Sequence, residues 1–274
     1  MSSDDTSDFA ELEQRGWSEP DTAQAYAKDF AKAAQYSVPV MIDAVKAGPG
    51  TDLLDLCCGH GILSGEAVER GAMVTGVDFS PTMLDLSRSN VPHARFLLGD
   101  AMALPFDVAS FDAVVIGFGI PHVPDPPAVF AEVKRVLKSG GRLAYSVWQD
   151  QAGALQYVFN AIAKHGKAGI ALPPGPGAHD YADPDRARAA LTKTGFTDIA
   201  LTQVESRWQV TDPATPFDYF DQGTVRGGAL LRKQPGQSRV AIRQAVIEDV
   251  LAHHGQGPVW DIPIPSVVVS ARAS

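Results

Sequence analysis

Residues 53–61 read LLDLCCGHG: an apolar run, an acid, two thiols, and a histidine between two glycines. Two chemistries use such residue types. Thiolates and an imidazole bind metals or cycle between redox states, whereas glycines at a strand end let the backbone turn sharply and come close to a ligand. Cys57 and Cys58 are the only two cysteines in the chain. Four-ligand zinc sites draw on spaced pairs, and neighbouring side chains on a strand point to opposite faces. Adjacent thiols therefore predict no metal site, and they offer no disulfide framework. The glycines remain. Gly59 and Gly61 stand between an apolar run and a helical pattern, where a helix N-terminus presents unpaired N–H groups.

Three acids share that context. Asp55 lies at the end of the first apolar run, Asp78 closes the second in AMVTGVD, and Asp100 follows the third in ARFLLGD. Acids at the carboxyl ends of successive parallel strands point into one crevice. A carboxylate at Asp78 can accept hydrogen bonds from both hydroxyls of a ribose, and Asp100 suits an amino group such as adenine N6. Phe79 and Met83 are placed to clasp a flat base between apolar surfaces. The competing account is that each acid only caps the helix after its strand. A nicotinamide dinucleotide is a further alternative, because Asp78 stands near the distance of an NAD ribose acid. Against it, Ser64 occupies the place of the third glycine in G-x-G-x-x-G, and Asp55 sits just before the loop.

The elements that must position these residues alternate regularly. TDLLDLCC predicts a buried strand, ILSGEAVERG a helix stopped by Gly71, and AMVTGVD a second strand. Ser80 and Pro81 form an N-cap and first-turn pair opening a helix through TMLDLSRS. ARFLLGD and FDAVVIGFG are the third and fourth strands. Asp125 and Pro126 start a helix whose Val129, Phe130, Val133, Val136 and Leu137 share one face; Gly140 and Gly141 are expected to end it before a fifth strand, RLAYSVW. Near-continuous apolar strands separated by helices predict a doubly wound α/β domain with a mostly parallel, Rossmann-like sheet.

Around this core, residues 1–46 are expected to form a helical N-terminal lid that includes Trp17, Tyr26, Phe30 and Tyr36. The core takes 47–150. Residues 151–274 are expected to supply substrate-side lid elements and the strands that complete the sheet. Within them LPPGPGAHD is the hinge candidate, PDRARAALTKTGF a helix, TDIALTQVESRWQV one long strand, SRVAIRQAVIEDVLAHH a helix and SVVVSARA the last strand.

The chain has 274 residues and a formal charge of −9, from 32 acids and 23 bases. No basic stripe of the kind that grips a phosphate backbone is visible, so nucleic acid is not an expected partner. No apolar run approaches the roughly 20 residues of a membrane helix. The acidic, polar start is unlike a secretory signal, and a cytoplasmic protein, monomer or homodimer, is expected.

The ordered set LLDLCCGHG, GVDFSPTML, FLLGDAMALPF, SFDAVVIGFGIPHVPDP and EVKRVLKSGGRLAYSVW resembles class I S-adenosylmethionine-dependent methyltransferases, in flavour the branch of the ubiquinone and menaquinone biosynthesis enzymes. It spans about residues 50–148. The resemblance implies a seven-stranded sheet with an antiparallel last strand, S-adenosylmethionine as cofactor, and a small organic acceptor methylated at oxygen, carbon or nitrogen. It implies that Gly59 and Gly61 approach the methionine part, that Asp78 holds the ribose, and that Asp100 with Ala101 frames the adenine; Asp55 and Cys58 are counted with the cofactor-binding residues. Gly117 and Phe118 would flank the cofactor on the acceptor side. Apart from the resemblance, the aromatic N-terminal segment with Tyr26 and Phe30 is expected either to fold over the cofactor as a lid or only to pack a helix onto the sheet. Cys57 departs from the pattern, since the family usually has glycine there. DPPA at 125–128 lacks the aromatic of amino-methylating nucleic-acid enzymes and lies beyond the strand, so it is expected only to start a helix. His122, just past the fourth strand, is the candidate base or acceptor-positioning group; a base is needed only if the acceptor must lose a proton. A protein that binds the same cofactor for a non-methylating reaction would carry the same motifs.

Overall fold

The computed structural model describes residues 3–151 and 153–274; Met1, Ser2 and Ala152, which fall in the expected first and third segments, lie outside the described residues. In chain order come α1 (Ser3–Ser18), α2 (Pro20–Lys28), α3 (Val38–Val45), β1 (Asp52–Leu56), α4 (Ile62–Glu69), β2 (Met73–Asp78), α5 (Pro81–Asn90) and β3 (Arg95–Leu98). Then follow β4 (Phe111–Gly117), α6 (Pro126–Val136), β5 (Leu137–Trp148), α7 (Ala154–His165), α8 (Pro184–Thr194) and β6 (Phe196–Val204). The chain closes with β7 (Arg207–Val210), α9 (Thr215–Gly223), α10 (Val225–Arg232), α11 (Gly236–His254), β8 (Trp260–Pro263) and β9 (Ser266–Ala273).

These elements sort into two compact units. One comprises residues 34–149, 175–204 and 266–274; the other comprises 1–33, 150–174 and 205–265. Along the sequence the segments of the two units alternate: the chain leaves the core and returns to it twice.

The core unit holds a seven-stranded sheet in the order β3-β2-β1-β4-β5-β9-β6. β1 to β5 pair in parallel, and β9 runs antiparallel to both β5 and β6. The strands are apolar on both faces because both are covered. Leu54 and Leu56 of β1 pack with Val129, Phe130, Val133 and Val136 of α6, while Leu53 packs with Met41, Ile42 and Val45 of α3. β1 has β2 on one side and β4 on the other, so strand order reverses there. In open α/β sheets that reversal leaves a crevice at the carboxyl ends of the strands.

Local signals account for the helix starts. The Ser80 Oγ accepts the Met83 N–H at 3.1 Å, with Pro81 opening α5. The Asp125 Oδ1 accepts the Ala128 N–H at 3.2 Å, with Pro126 opening α6. DPPA is thus a helix start, as expected.

Two expectations are corrected. α6 ends at Val136, and Gly140 and Gly141 lie inside β5, whose register against β4 shifts between Phe111 and Ala113. A break in pairing absorbs the glycines there. TDIALTQVESRWQV is two strands: β6 sits at the edge of the core sheet, and β7 pairs with β8 in the other unit.

The second unit gathers α1, α2, α7, α9, α10 and α11 with the antiparallel β7–β8 pair. Its interior holds an aromatic ladder, Trp17–Tyr26–Phe30–Trp208–Tyr219, with successive ring centroids 5.1, 5.8, 5.0 and 5.2 Å apart. Trp208 is buried and donates its indole N–H to the Phe30 carbonyl at 3.1 Å, which satisfies its polar edge. Among the described residues no helix is long and apolar enough to cross a membrane.

Candidate functional site

At the carboxyl end of β1 the chain turns twice through the left-handed region at glycine. Gly59 has φ 54° and Gly61 φ 88°, and Gly61 caps α4. A Cβ built at Gly59 would meet no atom within 4 Å, so that side of the loop is open to a ligand. The loop is anchored by the Cys58 N–H to the Val77 carbonyl at 3.1 Å and the Gly61 N–H to the Cys58 carbonyl at 2.9 Å.

Asp78, at the end of β2, is 7% exposed and ties two strand ends together. One carboxylate oxygen accepts the Gly59 N–H at 2.8 Å and the other accepts the Ser80 N–H at 2.9 Å. Burial raises its pKa, opposed by these N–H donors and by the charge of His122. A carboxylate offers about four lone-pair sites, so acceptor capacity remains beyond these N–H bonds.

Asp55 is 1% exposed. Ser64 of α4 donates its hydroxyl to Asp55 Oδ2 at 2.6 Å, and Oδ1 is buried without a hydrogen-bond partner. Burial pushes the Asp55 carboxyl up to about 7, against the Ser64 bond. The residue in the place of a third glycine is therefore a polar latch on an acid. In the dinucleotide fingerprint that place serves close helix–strand packing by a residue without a side chain.

Asp100 is exposed at the end of β3, and its Oδ1 accepts the Met102 N–H at 2.8 Å; Ala101 beside it is buried. Phe79 is half-buried and Met83 buried. Gly117 ends β4. Phe118 follows at φ 57°, its N–H shared between the Ser146 carbonyl at 3.1 Å and the Ser146 hydroxyl at 3.2 Å. Its ring stacks on Trp148 of β5 at 3.9 Å. His122 lies in the short 3-10 turn after Gly119. The charges of Asp78, Asp55 and Asp100 all act on Cys57 and, with burial as the larger cause, raise its pKa well above the usual thiol value; burial does the same for Cys58. Both thiols stay protonated. Burial lowers His60 to about 4, so its imidazole is neutral at ordinary pH. Among the described residues no group of three or more His, Cys, Asp or Glu is placed to hold a metal ion.

The core thus brings Asp55, Cys58, Gly59, Gly61, Asp78, Phe79, Met83, Asp100, Ala101, Gly117, Phe118 and His122 to the carboxyl-end side of one sheet. Tyr26 belongs to the other unit, its ring between Trp17 and Phe30. Sequence inspection missed Ser64 as a partner of Asp55, Ser146 and Trp148 as supports of Phe118, and His179, whose Nδ1 lies 2.9 Å from the Trp148 carbonyl.

Residues 54–145 match the family model described as a methyltransferase domain. These residues are thus similar to a methyltransferase domain. Demethylmenaquinone methyltransferase of Listeria welshimeri is 42% identical over 125 residues, covering 42% of this chain and 53% of that protein. The Renibacterium salmoninarum enzyme of the same name is 43% identical over 104 residues, covering 38% and 44%. The chain therefore spans about half the length of the curated relatives it matches. In fold, the chain is similar to the YcgJ protein of Bacillus subtilis, with a TM-score of 0.57 and 17% identity over 86% of this chain and 97% of that one.

Proposed function

We propose that this chain is an enzyme that transfers a methyl group from S-adenosylmethionine to a small organic acceptor at oxygen, carbon or nitrogen. The observation that carries the proposal is Asp78, buried at the end of β2, fixed by the Gly59 and Ser80 N–H groups and retaining acceptor capacity beside the open side of Gly59. Such a group suits the two hydroxyls of a ribose. Asp100 and Ala101 suit the adenine edge, Phe79 and Met83 its faces. Asp55, Cys58, Gly59 and Gly61 suit the methionine part, where the orphaned Asp55 oxygen supplies an acceptor for an ammonium group. When bound, the cofactor supplies a methyl group on a sulfonium, already activated for displacement. The chain's share of the rate then comes from holding the acceptor in line and excluding water. Phe118, stacked on Trp148 and tied to Ser146, is a rigid apolar wall for that purpose. The same proposal includes a cytoplasmic location and a monomeric or homodimeric state.

Calorimetric titration with S-adenosylhomocysteine, beside NAD and NADP, tests the cofactor. Micromolar binding of the first alone is expected. Binding of a nicotinamide cofactor instead, or of none, would overturn the proposal.

His122, close enough to Asp78 to act on its charge, is the proposed base or acceptor-positioning group. With an acceptor in hand, His122→Gln is expected to turn over about 100-fold more slowly than the parent. Turnover equal to the parent's removes His122 from the chemistry.

A further inference from the structure

Cys57 has φ 57°, a conformation that L side chains seldom adopt because Cβ crowds the backbone. Glycine would be at ease there. Its near neighbour in space, Gly119, has the opposite character: φ −79° and ψ −28° are ordinary helical angles open to any residue. What Gly119 lacks is room. A Cβ at that position would lie 2.5 Å from Cys57 Cβ, 2.9 Å from Cys57 Sγ and 3.1 Å from Ile116 Cγ2. A Cβ cannot rotate out of the way, so the first contact is fixed by the two backbones. Each position is explained by the other: Cys57 has a side chain at a place that disfavours one, and Gly119 has none at a place that would accept one.

The two residues belong to different loops. Cys57 opens the loop after β1 that carries Gly59 and Gly61; Gly119 lies between Phe118 and the turn bearing His122. Phe118 also sits at φ 57°, held there by Ser146 and Trp148. Two non-glycine residues with left-handed backbones thus flank one contact, and strain of this kind persists only where the surroundings over-determine it.

We propose that Cys57 is a positioning residue: its Cβ is the stop against which the Gly119 backbone seats, fixing the spacing between the loop after β1 and the loop after β4. The thiol has no chemical part, since it stays protonated. The consequence for ligand binding rests on the methyltransferase proposal above; the contact itself does not.

A double-mutant cycle tests it with two readouts, thermal melting and calorimetric affinity for S-adenosylhomocysteine. Gly119→Ala is expected to lower the melting temperature by about 5 °C and to weaken binding about 10-fold or more, as overpacking displaces both loops. Adding Cys57→Gly to that variant removes the obstructing Cβ and is expected to recover most of both losses. Cys57→Ala, which keeps Cβ, falls near the parent and well above Gly119→Ala. Additive losses in the double variant would overturn the proposal. So would a Cys57→Ala loss as large as that of Gly119→Ala, because the sulfur would then be the active part. Should no variant and not even the parent bind S-adenosylhomocysteine, the cofactor proposal and the positioning role both fail, while rescue in melting would still establish the contact.

Discussion

Replacement of Asp78 by Ala is expected to weaken S-adenosylhomocysteine binding at least about 100-fold while leaving the protein folded. The carboxylate holds the Gly59 and Ser80 N–H groups, and its loss leaves both without their acceptor as well as removing the acceptor for the ribose. Hydrogen bonds to a charged group contribute about 1.5–3 kcal/mol each, so the loss of two accounts for the expected factor. The sheet does not depend on it, because β2 is held by Val74 and Val77 in the core and by parallel pairing with β1 and β3. Asp78→Asn separates anchoring from charge. It keeps one acceptor oxygen but turns an NH2 toward one of the two N–H donors, and binding should fall between parent and Ala variant. Calorimetry with circular dichroism on the same samples decides. An unchanged dissociation constant in a folded Asp78→Ala protein would withdraw the ribose assignment.

Asp55 makes the unliganded protein sensitive to pH. Its carboxyl titrates near 7 in the fold and near 3.8 when exposed, with burial as the main cause and the Ser64 bond opposing it. The folded state therefore holds this proton more tightly than the unfolded chain. Stability from this group is fully present below about pH 3.8, declines as pH rises, and is lost once pH passes 7. The size of the loss is about 4 kcal/mol as an upper bound. In Asp55→Asn that share of the pH dependence disappears. The variant should match the parent near pH 4 and exceed it in urea unfolding at pH 8, at the expense of cofactor affinity. Such exchange of stability for function is common where a site holds an uncompensated buried group. A stability difference between variant and parent that stays constant from pH 4 to pH 8 would contradict the account.

How far these features could be read in advance depended on the range of the interaction. Asp55, Gly59, Gly61, Asp78 and Asp100 were legible because each stands at a fixed place after an apolar run, and the parallel sheet follows from those runs being apolar throughout. Ser80 and Asp125 were legible as caps because a cap is a contact over three residues. The break between β6 and β7 was not. Exposed Gln203 is followed by buried Val204, and half-buried Arg207 by buried Trp208; such a pattern reports which face is covered but not which sheet the strand joins. Gly140 and Gly141 misled for a related reason: glycines after a helical pattern signal a stop, and only the pairing with β4 reveals that a strand runs through them. The Phe118–Trp148 stack, the Phe30–Trp208 contact and the Cys57–Gly119 contact join residues far apart in the chain, and no local pattern encodes them.

The order of the sheet also governs when it can form. β9 lies in its interior, between β5 and β6, although it is the last strand along the chain. Its pairing with β5 joins Trp148 to Ser266 and so closes a loop of more than about 100 residues. On a ribosome, β1 to β5 emerge and can associate early, but β6 has no neighbour in the sheet until residues 266–273 have been made. During that interval the backbone edge of β5 that pairs with β9 is unpaired. Non-local pairing of this kind is slow, and an open apolar edge invites association with other chains. Closure of the sheet thus waits on the pairing of β9 with β5 and β6, the most non-local step in its assembly.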